Sequence, residues 1–419
     1  MKEKGKNKMS FNATWAMAVG GMIGGGIFSV LGVIIEVAGQ WAWLSFVLAG
    51  IIALISAHSY SRLSIKYKEG GGAFIFLREI DHKGFAGSLS WILILGYILT
   101  IAVYAFTFGH YIAQVFDFGP WFPRLLGLLI IAFLTFVNLK GVSNASTFEI
   151  VTVYGKLLVL MGIAVYGIVQ WAPEQLTTSI SPTPWYAFII GAATIFMAYE
   201  GFQLLSYDYE DLKEPDHTLP KATIWAVIAV IIIYVMVTVG SIMLIGAEAL
   251  IEKKEVALSN VGHRTLGVAG LLIVTLAAAF STGSAINATL FSTGRLMESV
   301  AKKRDLPNIF LKENDKNIPY YAILTIAGLA AILSVIGSLD SLVDAASIIF
   351  LFTFGTVNMI AFQQKVKFKW ISLVGAASCG LAIAINIFEK IDKIPYAIVG
   401  LVCVSAAVFI FRPYIVNVE

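Results

Sequence analysis

The stretch Gly20-Gly21-Met22-Ile23-Gly24-Gly25-Gly26-Ile27-Phe28 governs how the rest of the chain is read. It sets five glycines within seven residues, inside an apolar run spanning 12–36. Glycine costs a helix interior about 1 kcal/mol relative to alanine, so the run needs a reason. The pairs Gly20/Gly24 and Gly21/Gly25 have the small-x-x-x-small spacing that lets membrane helices approach closely. Such packing asks for glycine on one face, whereas Gly24-Gly25-Gly26 removes side chains all round. The sequence therefore predicts an interrupted helix here. A broken helix exposes amide N–H groups at one end of the break and carbonyls at the other. The amides suit a carboxylate and the carbonyls an ammonium, a natural receptor for a zwitterion.

The apolar setting is not confined to this run. Hydrophobic residues make up 58% of the 419 and charged residues only 13%, about half the share of a soluble domain. Most of the surface must therefore face lipid. With roughly 20 apolar residues needed to cross a bilayer, twelve spans are predicted, near 12–36, 41–65, 85–116, 124–140, 147–171, 185–208, 221–246, 265–300, 320–337, 341–364, 369–388 and 394–412. The basic stretch Met1–Ser10 runs straight into the first span without a small-residue cleavage site, so that span is expected to be retained. If the N-terminus is cytoplasmic, 22 of the 29 Lys and Arg fall on the cytoplasmic side. Arg124, Lys253, Lys254, Arg264, Lys390 and Lys393 fall outside, and Lys156 lies within a span. The bias places both termini in the cytoplasm, and the short termini suit a prokaryotic inner membrane.

The same composition excludes other classes. A net charge of +3 is too small to point to nucleic acid. No phosphate loop, His-Glu-x-x-His pair or nucleophile–base constellation is present, so neither an enzyme nor a cofactor or metal site is expected. Cys379 and Cys403 lie in apolar runs and read as small buried hydrophobes. A channel would want a continuous polar stripe and a sensor a sizeable soluble region; neither is seen.

A second interruption is expected in the sixth span, where Phe196-Met197-Ala198-Tyr199-Glu200-Gly201-Phe202-Gln203 sets a carboxylate and a glycine among apolar residues. Spans one and six are equivalent in a five-plus-five repeat, as are three and eight, both unusually long. Inverted repeats of this kind place a substrate site at mid-membrane between broken helices. The expected division is 1–171 and 185–364 as the two repeats, with 369–419 holding two further helices.

These motifs resemble those of the amino acid–polyamine–organocation superfamily. The resemblance rests on Gly-Met-Ile-Gly-x-Gly-Ile-Phe at 21–28 and Phe-x-Ala-Tyr-x-Gly-Phe at 196–202. It extends through Glu210-Asp211-Leu212-Lys213-Glu214-Pro215, Leu219-Pro220-Lys221-Ala222, Asn287-Ala288, Gly294-Arg295 and Asp305-Leu306-Pro307. It covers essentially the whole chain. It implies an all-α polytopic membrane protein with a LeuT-like five-plus-five core, discontinuous helices one and six, and two extra C-terminal helices. The implied activity is secondary transport of amino acids or related amines. The resemblance puts the substrate carboxylate on the amides of Gly24, Gly25 and Gly26. It puts the ammonium on carbonyls around Met22, Ile23, Phe196 and Tyr199, with Phe196, Met197 and Phe202 as gate or wall.

Charges inside the membrane are the other functional candidates. Counted from Thr147, Lys156 lies about 13 Å into its span at 1.5 Å per residue, close to mid-membrane. It suits a lysine that loses and regains a proton during transport, because burial disfavours the ammonium form. The segment 152–158, which closes on Lys156-Leu157-Leu158, resembles the lysine segment of proton-coupled superfamily members. Carbonyls of Gly20 or Gly21 and hydroxyls of Ser281 or Ser284 are its expected partners. The alternative is sodium, held by carbonyls near Gly20 and Ile23 with Ser281, Thr282 or Ser284; an exchanger needs neither ion. Glu200 is expected to carry a coupling proton or to meet a basic substrate side chain. Many relatives instead carry their acid where this chain has Gln203. Asn287 and Thr289 are expected either to contact substrate or to link helices, and Tyr104 to pack or to face substrate.

Overall fold

The computed structural model describes residues 8–68, 72–79, 83–116, 118–141, 146–177 and 182–390. Within them run α1 Phe11–Ala38, α2 Ala42–Tyr67, α3 Gly72–Glu79, α4 Lys83–Ala113, α5 Phe122–Leu139 and α6 Ser146–Gln170. The chain continues through α7 Ala187–Thr194, α8 Pro215–Ile245, α9 Ala247–Glu252, α10 Ala257–Lys302, α11 Tyr320–Ile336, α12 Leu339–Gln363 and α13 Lys369–Lys390. Among the described residues the one β-type pairing is an isolated parallel bridge between Met9 and Leu212.

Ten of the eleven expected spans up to residue 388 coincide with single helices to within several residues, the sixth being the exception. The eighth corresponds to the second part of α10, which kinks at Leu266 and at Gly267, where φ is +61°. The twelfth, 394–412, and Cys403 lie outside the described residues. Two short helices were not foreseen. α3 follows the second span and α9 the seventh, both too short to leave a period in the sequence.

Burial sorts the helices. The apolar windows of α1–α2 and α4 are almost wholly enclosed by protein, whereas under a third of those of α5, α6 and α13 is buried, as befits lipid-facing helices. α6 shows both faces at once. Val153, Lys156, Leu160 and Ala164 turn inward at helical spacing while Leu158 and Val169 stay exposed. Its inward face meets α8 through backbone, the Cα of Gly167 lying against the Gly240 carbonyl region with no room for a side chain.

Of the two interruptions expected, the structure contains one. The sixth span breaks after α7. Single 3-10 turns cover Phe196–Tyr199 and Phe202–Ser206, joined through Glu200 in an extended conformation and Gly201 at φ +134°. α1, by contrast, runs unbroken for 28 residues through all five glycines. The physical reason is its central position. A methyl group at Gly20 would lie 2.7 Å from Val153 of α6, and one at Gly24 2.6 Å from Ala285 of α10. At Gly25 it would overlap the Tyr104 ring of α4, and at Gly26 the Tyr234 hydroxyl of α8. Gly21 faces Gly201 at 3.2 Å. A helix enclosed on every side needs glycine on every side, so a run that strips side chains all round is satisfied by packing alone.

Candidate functional site

The glycine run and the break in the sixth span are brought together backbone to backbone. A side chain at Gly201 would lie 2.6 Å from Gly21 and Met22, and the local φ of +134° is reserved for glycine. One tyrosine then clips the two strands of the site together. The Tyr234 hydroxyl lies 2.7 Å from the Met22 carbonyl and 2.9 Å from that of Ala198, its single proton shared between them. Ser347 of α12 dresses the break from the other side. Its hydroxyl donates to the Thr194 carbonyl at 2.6 Å and accepts from the Met197 amide at 3.0 Å. Buried backbone groups freed by a broken helix need such partners.

Lys156 is buried and donates to the Gly20 carbonyl at 2.9 Å. Ser281 donates to the Ile23 carbonyl at 3.0 Å, and Ser284 turns back to the Ser281 carbonyl at 3.1 Å. Thr282 likewise bonds within its own helix, to Ala278 at 2.7 Å. The carbonyls of Gly20, Met22 and Ile23, one turn of α1, thus each accept from a different neighbouring element: α6, α8 and α10.

Glu200 is buried, and its carboxylate accepts from the Gln203 amide at 2.9 Å. Gln203 in turn accepts from the Gly201 N–H at 2.8 Å and reaches the Tyr97 hydroxyl at 3.4 Å, with Tyr207 beyond it at 3.3 Å. The acid and the glutamine therefore form one unit that holds the glycine kink. Phe196 and Phe202 point into an aromatic cluster with Tyr60 and Phe354, 5.2–6.0 Å between ring centres. Tyr199 donates to the Phe46 carbonyl at 2.7 Å. Asn287 accepts from Asn138 of α5 at 2.7 Å, about 9 Å along α10 from Ser281. This bond links α5 and α10. Thr289 is buried on the same helix.

Two residues of this assembly escaped the sequence. Tyr234 and Ser347 are each flanked on both sides by apolar residues, and that is the one signal they carry. Tyr104, foreseen as either packing or facing substrate, packs its ring on Gly25, while its buried hydroxyl has no hydrogen-bond partner among the described residues. A buried hydroxyl left unmatched is costly.

A bundle of membrane-spanning helices with a broken segment laid against a glycine-lined central helix is the architecture of a solute transporter. The comparisons give the family. Residues 9–416 match the family described as amino acid permease. The chain is 30% identical over 306 residues to the uncharacterized protein MJ0609 of Methanocaldococcus jannaschii, covering 72% of this chain and 70% of that one. It is also 30% identical over 325 residues to the mouse large neutral amino acids transporter small subunit 2, covering 73% and 60%. Among solved structures, the manganese transporter of Eremococcus coleocola, in complex with an aromatic bis-isothiourea compound, aligns with a TM-score of 0.62. It covers 97% of this chain at 13% identity, a likeness of fold alone. The chain belongs to the amino acid permease family of the amino acid–polyamine–organocation superfamily. It is an integral-membrane transporter of amino acids with a LeuT-like fold, and not an enzyme.

Proposed function

We propose that this permease takes up neutral amino acids together with protons by alternating access, binding substrate between α1 and residues 195–202. The observation that carries the reading is the buried Lys156 ammonium on the Gly20 carbonyl, one helical turn before Gly24. A charged donor makes a hydrogen bond roughly twice as strong as a neutral one. Losing the proton therefore loosens the hold of α6 on α1 just where α1 is easiest to open. Three consecutive glycines make that opening about 3 kcal/mol easier than three alanines would.

In the opened state the amides of Gly24, Gly25 and Gly26 take the substrate carboxylate. Carbonyls of Met22, Ile23, Phe196 and Tyr199 take its ammonium, displacing the Tyr234 and Ser281 hydroxyls that now occupy two of them. The Tyr104 ring swings off Gly25 and its unmatched hydroxyl finds a partner on the ligand. Glu200, held by Gln203, serves as a second proton-carrying group at the break. The likeness to a large neutral amino acids transporter supports a neutral side chain. Matched short helices after spans two and seven support division into repeats at 1–171 and 185–364. The Lys and Arg bias supports cytoplasmic termini, and the archaeal relative a prokaryotic cell membrane.

The test is uptake of a labelled amino acid mixture into proteoliposomes without sodium, with and without an inward proton gradient, for wild type and Lys156→Ala. Gradient-driven uptake is expected in wild type and lost in the variant. Uptake that needs sodium, or that ignores both gradient and substitution, overturns proton coupling through Lys156.

A further inference from the structure

The link between α12 and α13, residues 364–368, carries an arrangement that the transport site does not use. It reads Gln364-Lys365-Val366-Lys367-Phe368 and leads into Lys369-Trp370 at the start of α13. α12 ends with Lys365 in the left-handed region at φ +51°. The Lys365 amide bonds the Phe362 carbonyl, the Val366 amide that of Ala361, and Val366 is buried. This is a helix stop that normally takes glycine, so a lysine holds its place at a conformational cost. Phe368 is also left-handed, at φ +61°, and it and Trp370 stand 60% and 64% exposed.

The link is fastened to the end of α2. The Lys66 ammonium donates to both the backbone and the side-chain oxygen of Gln364, at 3.1 and 2.5 Å, and the His58 ring bonds the Lys367 carbonyl at 2.9 Å. His58, Arg62 and Lys66 are spaced four residues apart, so one face of α2 meets the link. Six cations gather here: Arg62, Lys66, Lys68, Lys365, Lys367 and Lys369. Neither 57–68 nor 362–388 contains an Asp or Glu. Among the described residues none of the six has an ion-pair partner, and the Arg62 Nε, though buried, has no hydrogen-bond partner. Among the described residues Arg78, Lys254 and Lys302 are ion-paired, Arg78 with Asp305 at 2.8 Å, Lys254 with Glu36 and Asp340, and Lys302 with Glu298. The lysines lie instead over rings: Lys367 over Phe368, and Lys369 over Phe362 and Trp370, at 5.3–5.7 Å.

The geometry points to a headgroup site for an anionic phospholipid, formed by the 364–369 link and the end of α2. Unmatched cations at a helix end attract an anionic leaflet, and exposed Phe and Trp at the same level bury their rings at the boundary between headgroup and acyl chain. The link, tied to α2 by two hydrogen bonds to its backbone and one to the Gln364 side chain, presents the cations on a fastened turn.

The test is binding of phosphatidylglycerol to the purified full chain in neutral detergent, read as the rise in melting temperature on titration and by native mass spectrometry. Phosphatidylcholine is the zwitterionic control and glycerol phosphate the soluble one. A cation near an anionic lipid surface is worth about fivefold in affinity. Replacing Lys365, Lys367 and Lys369 together by Gln should therefore weaken phosphatidylglycerol by about a hundredfold. Arginine at the same three positions should retain it, which separates loss of charge from misfolding. A control variant with Lys302, Lys303 and Lys312 changed to Gln, carrying equal charge loss elsewhere, should bind like wild type. Equal weakening in that control, an equal response to phosphatidylcholine, or full competition by glycerol phosphate would each overturn the assignment.

Discussion

Tyr104 and Gly25 carry the sharpest consequence at the scale of single residues. The ring sits where any side chain at position 25 would go, and overpacking of a tight contact costs about 1–3 kcal/mol. Gly25→Ala is expected to lower the melting temperature and abolish uptake. Adding Tyr104→Ala should restore stability without restoring uptake, since the substrate's own partner is then gone. A Gly25→Ala protein as stable as wild type would mean that the ring does not rest there. Tyr104→Phe separates packing from binding. Because the hydroxyl has no partner among the described residues, its removal should leave stability unchanged or raise it by up to about 1 kcal/mol. Substrate affinity should fall. Unchanged affinity would remove the hydroxyl from the site.

At the scale of elements, the break between α7 and α8 is held by few groups. Ser347 bonds both sides of it, and leaving those buried backbone groups unmatched costs about 1–3 kcal/mol. Ser347→Ala should lower thermal stability by that order while Ser347→Thr keeps most of it; equal losses in both would point to volume rather than hydrogen bonding. Gly201 is the other hinge. Its φ of +134° and its contact with Gly21 forbid a side chain on two independent grounds, so Gly201→Ala should perturb the fold more than Ser347→Ala. α1 is the opposite kind of element, regular in spite of its sequence. The packing of five neighbours around it outweighs the poor helix propensity of glycine.

Across the whole molecule, the two ends of the bundle are fastened differently. At the end carrying Lys254, the ammonium bridges Glu36 near the close of α1, at 2.8 Å, and Asp340 at the opening of α12, at 2.7 Å. The turn bearing it packs on Gly32 of α1, with no room there for a side chain. At the other end, backbone bonds from Met9 to Asp211 and from Lys213 to Met9 tie the N-terminal segment to the chain leaving the break. Arg78 of α3 pairs with Asp305 after α10. Partly exposed ion pairs are worth about 0–1 kcal/mol each, so Lys254→Met should barely change stability. Its effect should be on access. A cysteine placed at Ala38, now fully buried, should react faster with a membrane-impermeant thiol reagent in the Lys254→Met background. An unchanged rate would show that these pairs do not hold that end shut.

The membrane character, nearly all the helix positions and the family were legible in the residues themselves. Lipid as solvent imposes long apolar runs, and runs survive as a one-dimensional pattern. The kink at Glu200-Gly201 was legible too, because a charge and a glycine together are conspicuous in an apolar span. What the run at Gly20–Gly26 does was not. Glycine permits both a broken helix and a closely packed one, and the choice rests on how many neighbours surround it, which only the assembled bundle decides. The same holds for Tyr234, Ser347 and the pairing of Asn287 with Asn138, whose partners lie far along the chain. Local composition determined where this protein crosses the membrane; long-range packing determined which polar groups meet inside it, because a hydrogen bond between distant helices leaves no periodic trace in either.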